Sequence, residues 1–202
     1  MQVLDIEQGS EAWLKARLGI PTASRFKEII TPAKGEKSKS YKTYLFELLA
    51  ERMTQGKEDS YTNEWMQRGN ELEAAARSAY EFLHDVEVQQ VGLVLNDAGT
   101  IGVSPDGLIG EDGGLEIKCP KAANAVRYMV EDAMPDVYKP QVQGNLWITG
   151  RQWWDFVVYH PDLDLFVKRI YRDEAYIKKM EQHITAFVEE LQEAHRRLTN
   201  DR

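Results

Sequence analysis

Asp106, Glu116 and Lys118 flank a short turn, Gly110-Glu111-Asp112-Gly113, so two adjacent strands would hold the two carboxylates close together. Side chains alternate along an extended strand, which puts Glu116 and Lys118 on one face and sends Ile117 into the core. Paired carboxylates repel unless they are protonated or neutralised. A hard divalent cation such as magnesium, which prefers oxygen ligands, relieves that conflict. Such an ion acidifies a bound water, and a neighbouring ammonium stabilises the charge that builds on a phosphate under attack. The chemistry that fits is metal-dependent phosphodiester hydrolysis. Glu-Ile-Lys is also ordinary on a half-exposed strand and Asp-Gly is a common turn, so the pattern needs support from other segments. Glu73 could add a third carboxylate from a helix, and Gln141 or Gln143 could orient the attacking water, although helical residues of these types usually face solvent.

The elements that must position these residues can be read from apolar spacing. Ser10 can cap a helix carrying Trp13, Leu14 and Leu18 that ends at Gly19. Pro21-Thr22-Ala23-Ser24 offers hydroxyl caps for a second helix with Phe26, Ile29 and Ile30, stopping before Pro32. Residues 31–40 hold Lys34, Lys37 and Lys39 with no apolar period and read as a mobile basic loop. Amphipathic helices follow over 41–53 and 63–83. Strands are expected over 86–95 and 100–103 around Asn96-Asp97-Ala98-Gly99, then over 106–109 and 114–118. Helices over 122–131 and 137–149 precede strands near 153–159 and 165–171. In the last helix, Ile177, Met180, Ile184, Phe187, Leu191, Ala194 and Leu198 form one stripe that must be buried, against the chain's own sheet or another subunit.

Composition bounds the class. The 202 residues, 43% hydrophobic and 29% charged, suit a single domain able to bury a core. Its parts would be an N-terminal helical region (about 10–84), a catalytic sheet core (about 86–171) and a C-terminal helix (about 173–198). No segment reads as a leader peptide or a membrane span, which makes a cytoplasmic location the expectation. Cys119 is the only cysteine, which excludes an internal disulfide and a cysteine-built zinc or iron–sulfur site. It reads as a small core residue. The net charge of −8 argues against a general nucleic-acid coat, so any DNA binding must come from cations gathered in one place.

Several spaced blocks resemble the lambda-exonuclease-like (YqaJ-type) viral recombinase family, a branch of the PD-(D/E)xK nucleases. Trp13, then Arg17-Leu18-Gly19-Ile20 and Thr22-Ala23-Ser24 resemble its first block, which implies that Arg17 and Ser24 contact a terminal 5′-phosphate. A guanidinium fork and a hydroxyl suit that task. Arg68-Gly69-Asn70-Glu71-Leu72-Glu73 resembles the helix that supplies an extra metal ligand, assigned to Glu73 rather than Glu71. Ser104-Pro105-Asp106-Gly107-Leu108 with Leu115-Glu116-Ile117-Lys118-Cys119-Pro120 resembles the catalytic core, and the family adds a backbone carbonyl ligand that here belongs to Ile117. The block at 138–147 resembles the one whose first glutamine, here Gln141, sits beside the catalytic lysine.

The resemblance implies a mixed α/β fold, a restriction-endonuclease-like core whose central mixed β-sheet is flanked by α-helices. It implies an enzyme: a magnesium-dependent 5′-to-3′ exonuclease, with manganese able to substitute, that degrades one strand of linear duplex DNA to 5′-mononucleotides. Asp106, Glu116 and the Ile117 carbonyl would hold one ion, Asp106 and Glu73 a second, while Lys118 and Gln141 position the water. A ring-shaped homotrimer around DNA ends, a single-strand annealing protein as partner, a role in phage recombination and the cytoplasm of a bacterial host are further implications. The competing readings are an endonuclease on the same fold, a non-catalytic DNA-end-binding subunit, and a structural oligomer built on the last helix.

Overall fold

The computed structural model describes residues 1–56 and 64–200. Four strands, β4 (Gly107–Ile109), β5 (Gly113–Lys118), β6 (Trp153–Val158) and β7 (Phe166–Tyr171), make one sheet in that order. The outer pairs are antiparallel, whereas β5 and β6 are parallel and need a crossover. Helices α5 (Ala122–Glu131) and α6 (Lys139–Thr149) supply it. Helix α4 (Glu64–His84) lays Ala76 and Tyr80 on Leu115, Ile117 and Val157 of one sheet face, and α5 lays Ala125 and Tyr128 on Phe156 and Val158 of the other. This is the mixed α/β architecture expected from the sequence. Glu116 and Lys118, in register with Phe156 and Val158, face the α5–α6 side. Within β5, just past the turn, glycine is needed for want of space, since a Cβ at Gly114 would lie 2.3 Å from the ring of its neighbour Trp154.

The upstream strands form a separate sheet rather than joining this one. β1 (Gln2–Leu4), β2 (Leu93–Leu95) and β3 (Gly102–Val103) pair antiparallel in that order. The strand expected over 86–95 is shortened to its last three residues, with an isolated bridge from Gln89 to Leu108 linking the two sheets. Gly92 marks the break: the Ile6 backbone passes so close that a Cβ there would sit 1.9 Å from its carbonyl oxygen. Nothing local in the sequence announces β1, because its partner is remote in the chain.

Helix α1 (Glu11–Ala16) starts at Ser10, whose hydroxyl accepts from Trp13 N at 3.2 Å, and the chain turns at Gly19 with φ of +65°. The second helix is shorter than its apolar pattern suggests: a 3-10 turn, Ala23–Arg25, leads into α2 (Phe26–Ile29), and neither Thr22 nor Ser24 caps it. The Thr22 hydroxyl instead faces Arg17 and Ser24. The basic loop over 31–40 closes on itself, with Thr31 N donating to the Glu36 carbonyl at 2.6 Å and Gly35 N to the Thr31 carbonyl at 2.9 Å. Helix α3 (Tyr41–Thr54) follows it.

The stripe on α7 (Glu174–Asn200) is buried at Ile177, Met180, Ile184, Phe187 and Leu191, while Leu198 remains exposed. Its partners are α2, α3 and α6, not the sheet, because α4, α5 and α6 already cover both sheet faces. Phe187 stacks on Tyr44 at 5.5 Å and meets the edge of Tyr41 at 5.0 Å. Of the helix expected over 63–83, Asn63 and the side chains of Arg68, Asn70 and Glu71 lie outside the described residues. Among the described residues no helix is long and apolar enough to cross a membrane.

Candidate active site

The β4–β5 register pairs Gly107 with Leu115; carried one step past the end of β4, it sets Asp106 opposite Glu116. The Asp106 carboxylate takes the place of the next strand residue, Oδ2 accepting the Ile117 N–H at 2.6 Å. On the other side of β5 the Lys118 carbonyl accepts from Tyr159 N at 2.9 Å. Adjacent residues of a strand direct their backbone groups to opposite sides, so the Ile117 carbonyl projects toward Asp106, beyond the end of β4. Arg77 of α4 fixes the segment, donating from Nε to the Asp106 carbonyl at 3.3 Å.

Glu116 is 1% exposed and takes three donors. Lys118 Nζ ion-pairs with Oε1, and Gln141 Nε2 donates to the same oxygen at 2.6 Å. Asn145 Nδ2 donates to Oε2 at 3.2 Å. Gln141 and Asn145 are four residues apart on α6, hence on one helical face. Gln143 turns the other way, donating to the Tyr171 carbonyl at 2.9 Å and accepting from Asp173 N at 2.9 Å, so only one of the two candidate glutamines reaches the site. The Lys118 ammonium also stands over the Tyr138 ring, 5.4 Å from its centroid.

Burial pushes the Glu116 carboxyl up to about 7; the Asp106 charge adds to that, while Lys118 and the Asn145 amide oppose it. Burial likewise pushes Asp106 up to about 7, with Glu73 adding both charge and a hydrogen bond and with Lys118 and the Ile117 N–H opposing. Burial alone would lower the Lys118 ammonium, but Glu116 and Asp106 outweigh it and hold Lys118 above the ordinary lysine value. Two carboxylates and one ammonium therefore share a largely buried site whose charges do not balance. Among the described residues no three His, Cys, Asp or Glu side chains gather on one point. The donors available to an ion are Asp106, Glu116 and the Ile117 carbonyl, with Glu73 beside Asp106 from the α4 side. That all-oxygen set suits a small hard cation. Cys119, half-buried against the α4-side core, has its thiol pushed up to about 11 by burial, as a packing residue would.

A second cluster lies two residues upstream of Asp106. Arg17 donates to the Ser104 hydroxyl at 2.7 Å and to Thr22 Oγ1 at 3.3 Å, and its guanidinium lies 4.0 Å over the Trp13 ring. Trp13 Nε1 is itself held by the Gly92 carbonyl at 2.9 Å and Ser104 Oγ at 3.2 Å. Ser24 is exposed, its hydroxyl 3.4 Å from Thr22 Oγ1. Burial lowers the Arg17 guanidinium to about 10, which leaves it charged at neutral pH.

The structure thus brings together Asp106, Glu116, Ile117, Lys118 and Gln141, places Glu73 beside Asp106 alone among them, and sets Arg17 and Ser24 in a neighbouring group. Asn145, Ser104, Thr22 and Arg77 are the participants that sequence reading missed. For Asn145 the signal was available in its helical spacing from Gln141; for Ser104 and Arg77 only the packing of remote segments reveals it.

The YqaJ-like viral recombinase domain family matches residues 12–152, a span containing every side chain of both clusters. The alkaline exonuclease of Laribacter hongkongensis superposes with a TM-score of 0.86 at 36% identity, covering 95% of this chain and 97% of that one. The structure of that exonuclease in complex with dAMP gives a TM-score of 0.86 at 38% identity over the same shares. A phage-related exonuclease from Haemophilus somnus 129PT shares the fold, with a TM-score of 0.69 at 16% identity over 89% of this chain and 96% of that one. Curated protein sequences give no match.

Proposed function

The chain belongs to the YqaJ-like viral recombinase family, and on that premise we propose that it is a magnesium-dependent DNA exonuclease that shortens one strand of linear duplex DNA from its 5′ end. The observation that carries this reading is the buried Glu116, held by Lys118 and Gln141 directly opposite Asp106. Its similarity to an exonuclease whose structure is solved with dAMP supports a nucleotide product.

Asp106, Glu116 and the Ile117 carbonyl would hold one divalent cation, and Asp106 with Glu73 a second. Such an ion supplies Lewis-acid stabilisation of the charge that develops on the scissile phosphate. The Lys118 ammonium adds positive charge at the same place, and Gln141, sharing Glu116 Oε1 with it, is placed to orient a water for in-line attack. Arg17, presented by Ser104, Thr22 and Trp13, grips the terminal 5′-phosphate, with Ser24 adding a hydroxyl. Hydrolysis of the bond between phosphorus and the 3′ oxygen frees a 5′-mononucleotide and leaves a new 5′-phosphate, so each cut regenerates the group that Arg17 binds. The 3′ overhang that remains suits strand annealing by a partner protein. A homotrimeric ring would gather basic side chains inside a channel while the outer surface stays acidic.

The test is digestion of linear duplex DNA labelled at one 5′ or one 3′ end, with and without 5′-phosphate, in magnesium and in chelator. Mononucleotides leaving from phosphorylated 5′ ends only in magnesium support the reading. Cuts that begin inside closed circular DNA overturn it in favour of an endonuclease, and binding of ends without hydrolysis favours a non-catalytic subunit.

A further inference from the structure

The geometry assigns Asn145 to positioning Glu116: its amide anchors Oε2 from α6 while Lys118 and Gln141 anchor Oε1, so the carboxylate is held through both oxygens in one orientation. This inference rests on the nuclease reading and deepens it. Asn145 is 1% exposed and so cannot touch DNA; any role it has must pass through a neighbour. The neighbour is the Glu116 carboxylate, which meets Asn145 Nδ2 at 3.2 Å on one oxygen and Lys118 and Gln141 on the other. A buried carboxylate needs donors, and a neutral amide provides one without cancelling the negative charge that attracts an ion. Oε2, with this one donor, keeps a lone pair free for an ion, and the amide fixes where that lone pair points.

The placement of Asn145 is firm because α6 cannot roll. Gln143, on the opposite face and 2% exposed, ties α6 to β7 and to the start of α7. At Gly144 the helix presses against Phe26 so closely that a Cβ would lie 2.6 Å from the ring. Gln143 therefore provides an internal control: it is a second buried amide on the same helix, aimed at the backbone and not at the site.

The experiment compares Asn145→Leu, Asn145→Asp and Gln143→Leu with the wild-type chain. It reads kcat and KM for end-labelled duplex, manganese and calcium binding by titration calorimetry, and thermal melting. Outer-shell residues of metal sites typically contribute roughly 10- to 100-fold in affinity or activity. Asn145→Leu is expected to lower kcat and manganese affinity by about that range with KM for DNA little changed. Asn145→Asp, which sets a second carboxylate against Glu116, is expected to lower kcat further while binding either cation. Gln143→Leu is expected to lower the melting temperature at least as much as Asn145→Leu while leaving kcat and manganese affinity at wild-type values. Wild-type kcat and manganese affinity in Asn145→Leu overturn the assignment, as does an equal loss in Gln143→Leu, which would make the effect one of packing. A wild-type chain that neither binds manganese nor cuts DNA overturns the nuclease reading together with this one.

Discussion

Two carboxylates, Glu116 on β5 and Asp155 on β6, are each 1% exposed and lie on neighbouring strands, yet the protein treats them oppositely. Asp155, on the α4 face, receives Arg169 through two donors at 2.8 Å each and the Tyr80 hydroxyl at 2.6 Å, and Arg169 is braced over the Trp153 ring at 3.7 Å. One charge meets one charge, and both oxygens are satisfied. Glu116, on the α6 face, meets one ammonium and two neutral amides while a second carboxylate, Asp106, stands opposite. Burial alone therefore does not distinguish a structural ion pair from a site; the balance of charge does. Arg17 extends the contrast, for its side-chain hydrogen bonds go to two hydroxyls and it lies over an indole, with the charge of Glu51 acting on it but, among the described residues, no ion pair like that of Arg169 and Asp155.

The sharpest way to break this comparison is to remove the charge that serves chemistry. Lys118→Ala or Asp106→Ala is expected to lower single-turnover nucleotide release by about 10³-fold or more, measured at a temperature where melting shows each variant still folded. An active Lys118→Ala chain would reduce the Glu116 cluster to another structural pair. The mirror experiment is Arg169→Ala, which orphans Asp155. Loss of one partner of a fully buried pair costs about 3–5 kcal/mol; since Arg169 is 43% exposed, solvent screening reduces the expectation to roughly 2–3 kcal/mol. Denaturant melts should register that loss while turnover well below the melting point stays at the wild-type value.

Arg17→Ala should weaken the preference for 5′-phosphorylated over 5′-hydroxyl ends by about tenfold, the worth of one charge-assisted contact, as competition between the two substrates would read. The smallest effect is on stability against pH. Asp106 and Glu116 have folded values of about 7, above ordinary values of 3.8 and 4.5, so the stability they contribute is present below about pH 4 and is lost as pH rises through about 7. In chelator, Asp106→Asn should therefore melt higher than wild type at pH 8 but not at pH 4. A gain of roughly 2–4 °C is expected for each kcal/mol of repulsion relieved. Magnesium should narrow the gap at pH 8 by stabilising the wild type.

The contrast between Glu116 and Asp155 also shows how far the sequence could be read. Glu116 was legible because Asp106, Glu116 and Lys118 are linked by a turn and a two-residue period, and those local rules survive folding. Asp155 sits in an apolar run, Trp153-Trp154-Asp155-Phe156-Val157-Val158, and nothing nearby says that Arg169 and Tyr80 will meet it. Asn145 was within reach through its helical spacing from Gln141, but a helical period does not say which face meets the sheet. Gln143 shows the same ambiguity with the opposite outcome.

By itself, then, the sequence determined the longer helices, the β4–β5 turn, the alternation that pairs Glu116 with Lys118, and the blocks that mark the family. All of these depend on residues close together in the chain. Tertiary structure decided that the upstream strands form their own sheet with Gln2–Leu4, that the α7 stripe packs on helices, that Gln141 rather than Gln143 reaches the site, and that Ser104 presents Arg17. Each of those outcomes is a competition for the same buried surface between segments distant in sequence, and only the complete set of contacts settles which segment occupies it.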